Sequence, residues 1–150
     1  MKLKHLKNTE KLDFFTVDED TSLNIPIFSN AVQAGFPSPA EDHIDMDLNL
    51  NDYLVQNPSA TFCVKAIGES MKNSGINSGD IMVVDKSLEP KNRSIVIAII
   101  DGEFTVKRVN VNNNELYLMP ENSNFSPIKI TKEMDFQVWG VVTYIIHKAV

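Results

Sequence analysis

Ser70 and Lys107 are the residues whose types and positions suggest covalent chemistry. Ser70 lies in Gly68-Glu69-Ser70-Met71, where a β-rich run ends and a polar stretch begins, so its hydroxyl is well placed to act as a nucleophile. A serine nucleophile needs a base, and either histidine or lysine can serve. A lone serine and a lone lysine are weak motifs, so spacing alone favours Ser70 as a helix or turn cap and Lys107 as a solvated strand residue.

The histidines are poor partners for Ser70. His5 lies near the N-terminus, His43 follows a proline-rich stretch, and His147 lies near the end of the sequence. No sequence feature links any of them to Ser70, so each is interpreted as a surface residue. They therefore argue against a serine–histidine pair.

Lys107 is predicted to lie on one arm of a β-hairpin. Asp101-Gly102 favours the positive φ angles of a tight turn, so the runs on either side should be antiparallel neighbours. Alternation along the second run places Thr105 and Val109 on the same face as Lys107. If that face is covered, burial would favour the neutral amine that a base requires.

The chain is predicted to be mostly β. Short runs rich in β-branched residues alternate with turn residues from Thr61 onward. Before them, Leu48–Val55 predicts a short helix with Asn51 or Asn49 as its cap, ended by Asn57-Pro58-Ser59. The predicted strands are 61–67, 81–85, 94–100, 103–109, 115–119, 128–130 and 136–147, with Asn110–Asn114 as a hairpin loop.

Composition indicates one compact domain with an appendage. The chain has 150 residues, 43% of them apolar, and a net charge of -6. This charge argues against direct, specific DNA binding and against an anionic membrane surface, so a protein partner is expected. Cys63 lies in an apolar run and is predicted to be a buried, reduced thiol. Without a signal-peptide pattern or a long apolar run, a cytoplasmic protein is expected.

One acidic pattern resembles a calcium loop and is rejected. In Asp45-x-Asp47-x-Asn49-x-Asn51, Leu50 occupies the position that needs glycine, and Gln56 stands where glutamate is required. The sequence predicts no metal site and no cofactor.

Residues 1–34 are predicted to form an N-terminal arm, because they lack sustained helical periodicity. The two prolines of Gly35-Phe36-Pro37-Ser38-Pro39-Ala40 predict a hinge after it. Residues 35–150 would form the domain proper.

Several segments, in the same order, resemble the UmuD branch of the LexA/UmuD family of self-cleaving Ser/Lys peptidases, peptidase S24. Proteins of this branch serve a bacterial translesion polymerase, DNA polymerase V. The similarity covers roughly Pro26 to Lys148. The matching segments are Ile27–Pro39, Asn57–Thr61, Val64–Met71, Gly79-Asp80, Asp101–Lys107 and Val138–Val142.

The resemblance implies a Ser/Lys dyad. Lys107, deprotonated in a dry site, would remove the proton from Ser70, whose oxygen attacks the carbonyl of Ala34. The backbone N–H of Ser70 would stabilise the oxyanion, with Gly68 or Glu69 as the candidate second donor.

The resemblance also implies the substrate and the fold. Ala34 and Gly35 are small enough to enter a closed cleft, and Val32 would fill an apolar pocket as the arm docks like a strand. The implied fold is the mostly β LexA/signal-peptidase-like catalytic domain of coiled β-sheets, with an extended, cleavable N-terminal arm. The product would begin at Gly35.

The implied partners are those of SOS mutagenesis: a second copy in a homodimer, a RecA–single-stranded DNA filament that stimulates cleavage, and a UmuC-type Y-family polymerase. The replicative polymerase clamp is a further candidate. The first 24 residues match the family poorly and are too few for a winged helix-turn-helix, which favours UmuD over a LexA-like or phage repressor-derived peptidase. Two rivals are a signal-peptidase-like enzyme, which needs a membrane anchor, and a non-cleaved regulatory interaction module of a polymerase.

Overall fold

The chain folds as a mostly β domain, which confirms the predicted fold class. The computed structural model describes residues 2–8, 12–18, 24–28, 44–67, 73, 75–119 and 126–150. The strands are β1 (Lys2–Asn8), β2 (Leu12–Asp18), β3 (Asn24–Phe28), β4 (Ile44–Asn49), β5 (Thr61–Ala66), β6 (Ile81–Asp85), β7 (Ile95–Ile100), β8 (Glu103–Asn112), β9 (Glu115–Met119), β10 (Ile128–Lys129) and β11 (Phe136–Ile146). A short helix, α1 (Leu50–Leu54), and a 3-10 helix (Pro58–Ala60) precede β5.

Most strands belong to one antiparallel sheet in the order β1-β2-β5-β6-β11-β7-β8-β9-β10, and β3 pairs with β4 separately. Successive residues of β7 point to opposite faces, and both faces are covered. Ile97 belongs to a first buried cluster, whereas Val96 and Ala98 belong to a second. The other buried members of the first cluster are Leu12, Phe14, Phe62, Val64, Ala66, Ile76, Met82, Val84 and Val106, and those of the second are Val109, Leu118 and Val141.

The predicted tight turn at Asp101-Gly102 is confirmed. Ile100 pairs with Glu103, and the two turn residues have φ angles of 49° and 84°. Positive φ at both central residues matches the right-handed twist of the flanking strands. The hairpin β7–β8 therefore fixes the position of Lys107 along the sheet.

The loop predicted over Asn110–Asn114 is wrong in its extent. Strand β8 continues to Asn112, and the turn consists of Asn113 and Asn114 alone, with φ angles of 51° and 61°. Asparagine tolerates this left-handed conformation, so two residues suffice for the turn. The sequence assigned residues 110–112 to the loop, but they stay paired with β9.

Helix α1 is shorter than the predicted Leu48–Val55, and Asn49 rather than Asn51 is its cap. The Asn49 side-chain oxygen accepts hydrogen bonds from the backbone N–H groups of Asn51 and Asp52, at 3.0 and 3.5 Å. These bonds satisfy donors that the first turn leaves without an intrahelical partner. The segment with the calcium-like pattern lies in strand β4 as far as Asn49, so its backbone is paired with β3 rather than looped.

The N-terminal strands were not predicted. Strands β1 and β2 form an antiparallel pair, and β2 pairs with β5 across Leu12↔Ala66 to Thr16↔Phe62. Leu12 and Phe14 are buried. The predicted hinge at 35–40 lies outside the described residues. That residues 1–34 form an arm removed by cleavage stays a prediction. Cys63, in the middle of β5, is fully buried as predicted.

Candidate catalytic site

Lys107 occupies the middle of β8, directly opposite Val96 of β7. The lysine is half-buried, whereas Val96 and Val109 are fully buried. Both valines belong to the second cluster, and Thr105 pairs with Ala98 of the same cluster. The prediction that Lys107 shares a face with Thr105 and Val109 is therefore confirmed.

The other predicted site residues lie outside the part of the chain that the structure describes. Their assigned roles stay predictions. They are the nucleophile Ser70, the oxyanion candidates Gly68 and Glu69, the scissile pair Ala34 and Gly35, and the positioning residue Val32.

The strand that leads to Ser70 is anchored at its end. Ala66, the last residue of β5, donates its N–H to the carbonyl of Asp80, and its own carbonyl accepts the N–H of Gly79, both at 2.9 Å. Ala66 also belongs to the first cluster, together with Val106, the neighbour of Lys107 in β8. The chain entering the Ser70 segment and the strand carrying Lys107 thus contribute to one core.

Asp80 is a buried carboxylate beside this anchor. Its side chain is 3% exposed, and its two oxygens contact Nδ1 of His147 at 2.6 Å and the backbone N–H of Asn77 at 2.8 Å. Burial alone would raise the pKa of Asp80, but these two hydrogen bonds and the His147 charge outweigh it and hold the pKa below its ordinary value. Asp80 therefore ties the turn after Ser70 to the residue that follows β11.

Sequence reasoning treated His147 as a surface residue without a link to the site, and the link runs through Asp80 rather than Ser70. The two residues are 67 positions apart. The only signal in the sequence was the Gly79-Asp80 pair among the matching segments.

Asp85, at the end of β6, is a second buried carboxylate that sequence reasoning missed. It accepts hydrogen bonds from Asn57 Nδ2 at 2.7 Å and from the backbone N–H and hydroxyl of Ser87 at 2.8 and 2.5 Å. Burial raises the pKa of Asp85, and these hydrogen bonds more than offset it, so the pKa is lowered. With its hydrogen-bond partners in place, this carboxylate joins β6 to the segment before β5 and has a structural role.

An aromatic surface, defined here by Phe62, Phe104 and Trp139, belongs to or packs against the first cluster, which includes Phe14 of β2. Phe104 and Trp139 meet edge-on, with ring centroids 4.9 Å apart. The ammonium of Lys86 lies 5.0 Å from the Trp139 ring centroid, within cation–π range. A cavity of about 310 Å³ opens beside these residues and is also lined by Phe14.

The described residues contain no group of three or more His, Cys, Asp or Glu side chains placed to bind a metal ion. In the same part of the chain, no helix has the length and apolar character needed to cross a membrane.

Comparison with known proteins defines the class. Residues 26–143 match the family described as Peptidase S24-like. Protein SamA of Salmonella typhimurium is 47% identical over 130 residues, which cover 87% of this chain and 90% of SamA. Protein ImpA of Escherichia coli is 42% identical, covering 86% and 88%, and Protein MucA of Escherichia coli is 40% identical, covering 89% and 92%.

This family defines a class of self-cleaving serine peptidases. The class fits a mostly β domain with a half-buried lysine on the β7–β8 hairpin. The chain belongs to the peptidase S24 family, and its predicted place among UmuD-like proteins is confirmed.

Proposed function

We propose that the chain cuts itself between Ala34 and Gly35, with Ser70 as nucleophile and Lys107 as general base. The neutral amine of Lys107 takes the hydroxyl proton as the Ser70 oxygen bonds to the carbonyl carbon of Ala34. Backbone N–H groups at Ser70, with Gly68 or Glu69 as a second donor, stabilise the oxyanion.

The intermediate then collapses and the bond from Ala34 to the nitrogen of Gly35 breaks. The proton held by Lys107 passes to the departing amine, which becomes the new N-terminus. Water hydrolyses the remaining ester, restoring the Ser70 hydroxyl and leaving Ala34 with a carboxylate.

The observation that carries this proposal is the environment of Lys107. It is half-buried in mid-strand, beside the fully buried Val96 and Val109 of the second cluster. Strand β8 is held on both sides, by β7 and β9, so the amine is carried on a rigid element. The matched range, 26–143, also spans every residue assigned to the reaction.

The biological role that we infer is SOS mutagenesis. A homodimer of the chain would be cleaved on a RecA–single-stranded DNA filament, and the product would serve a UmuC-type error-prone polymerase in the cytoplasm. The filament would act by raising the population of molecules whose arm is docked in the site. The support is family membership together with relatives that match most of the chain.

Purified protein incubated at alkaline pH tests the chemistry. Cleavage should accelerate with pH, because the reaction needs a general base in its unprotonated form. Ser70→Ala and Lys107→Ala should each abolish it. Lys91→Ala is the matched control, because Lys91 is an exposed lysine of the same domain, and it should cleave at the wild-type rate. Processing of Ser70→Ala at the wild-type rate would show that the dyad is wrong.

The length of the chain in cells after DNA damage separates the proposed role from the rival one. A non-cleaved regulatory module would stay full-length in cells after DNA damage, in the presence of the filament. The proposed reaction predicts a shortened form under the same conditions.

A further inference from the structure

The proposed scissile bond falls between two strands that are paired with each other. Strand β3 ends at Phe28 and β4 begins at Ile44, and the two pair antiparallel from Asn24↔Asn49 to Phe28↔Ile44. The Ala34–Gly35 bond lies in the connection between them. Cutting that bond removes a covalent link, but it removes none of the strand pairing on either side.

The second pairing between the arm and the body is that of β2 with β5. Five residue pairs join them, from Leu12↔Ala66 to Thr16↔Phe62. The other neighbour of β5 is β6. Loss of β2 would therefore turn β5 into an edge strand with a row of backbone groups left without protein partners.

Side chains of β2 are part of the core rather than a cover on its surface. Leu12 and Phe14 are 0% and 3% exposed. The Phe14 ring lies 4.9 Å from the ring centroid of Phe104, 6.1 Å from that of Phe62 and 6.3 Å from that of Trp139. Phe14 thus touches each ring of the aromatic surface, and its departure would expose all three to water at a substantial hydrophobic cost.

We propose that the severed arm stays bound to the body as a non-covalent strand pair, with β2 seated on β5 and Phe14 on the aromatic surface. The inference rests on the proposed function only for the origin of the cut. Displacement of β2, rather than cleavage itself, is then the step that uncovers β5 and the aromatic surface.

The experiment cuts the full chain in two ways. In one sample, the wild-type protein cleaves itself at alkaline pH. In the other, a Ser70→Ala chain with a protease recognition sequence inserted between Ala34 and Gly35 is cut by the added protease. Each product is run on a native size-exclusion column at micromolar concentration. Mass spectrometry then identifies the fragments in each fraction.

The arm fragment should elute with the body in equal amounts on the native column and separate from it only in denaturant. An arm fragment that elutes by itself from either cut sample would overturn the inference. If only the protease-cut sample yields fragments, self-cleavage has failed while retention is still measured. The two failures are therefore distinguishable.

Exchange identifies the contact responsible without altering the body. The cut complex is mixed with excess dye-labelled synthetic peptide of residues 1–34, in wild-type, Phe14→Ala and Phe15→Ala forms. Phe15 is the matched control, since it neighbours Phe14 but points to the other face of β2 and is only half-buried. The Phe14→Ala peptide should bind about 100-fold more weakly than wild type, a core-truncation effect, and Phe15→Ala much less so. Equal exchange of the Phe14→Ala and wild-type peptides would contradict the proposed seat.

Discussion

Replacing Asp80 should destabilise the fold far more than replacing its partner His147. Asp80→Ala leaves the Asn77 N–H without its acceptor and removes the link to the histidine. Leaving such a donor unsatisfied costs about 1–3 kcal/mol, so we expect a loss near 2 kcal/mol. The His147 side chain is 55% exposed. Its replacement by alanine should therefore cost only about 0.5 kcal/mol.

Asp80→Asn is the graded variant. Its amide oxygen can still accept the Asn77 N–H, but without the negative charge, so its cost should fall between those of the two alanine variants. Urea unfolding at neutral pH measures the series. For slopes of about 1–3 kcal/mol per molar urea, the Asp80→Ala midpoint should fall by about 1 M with an unchanged slope.

The pH dependence follows from the lowered pKa of Asp80. The folded state holds the carboxyl pKa below its ordinary value of 3.8, so this stabilisation is fully present above that pH. It is lost as pH falls through the folded-state pKa. The difference in free energy of unfolding between wild type and Asp80→Asn should therefore shrink as the pH is lowered. An Asp80→Ala midpoint within error of wild type would refute the reasoning. So would a His147→Ala loss of unfolding free energy as large as that of Asp80→Ala.

Three further predictions concern core packing, backbone strain in a turn and the buried thiol. Gly140→Ala places its Cβ 2.6 Å from Val84 Cγ1, so it should lower the free energy of unfolding by about 1–3 kcal/mol, and a neutral result in urea would contradict this packing. Gly102→Ala meets open space but keeps a φ of 84°, so a loss of about 1 kcal/mol is expected from backbone strain, and no loss would exclude that strain. Burial raises the pKa of Cys63 to about 11, so a thiol reagent at pH 8 should label it only as the protein opens, and labelling as fast as in urea would show an exposed thiol.

Local sequence signals predicted the β7–β8 hairpin that carries Lys107. Asp101-Gly102 carries its own turn chemistry, and alternation correctly placed Lys107 on the face of Val109. The end of β8 was predicted too early, because asparagine suggests a loop even where the backbone remains paired with β9. Pairing across the sheet decided that boundary, and a single run of residues does not encode it.

Long-range partners explain the rest. Nothing near Phe14 in the sequence shows that it packs on Phe104 and Trp139, so β2 was included in an arm without strands. Asp80 and His147 likewise meet only because β6 and β11 are neighbours in the sheet. The catalytic assignments rest on motifs that follow one another along the chain in the family's order. The physical chemistry of the fold alone would not supply them.

Intact-mass measurement after alkaline incubation tests the central claim most directly. The wild-type chain should give two fragments whose masses sum to that of the chain plus one water, with the larger beginning at Gly35, and Ser70→Ala should remain whole. An uncut wild-type chain, a cut at another bond, or the same two fragments from Ser70→Ala would contradict the account.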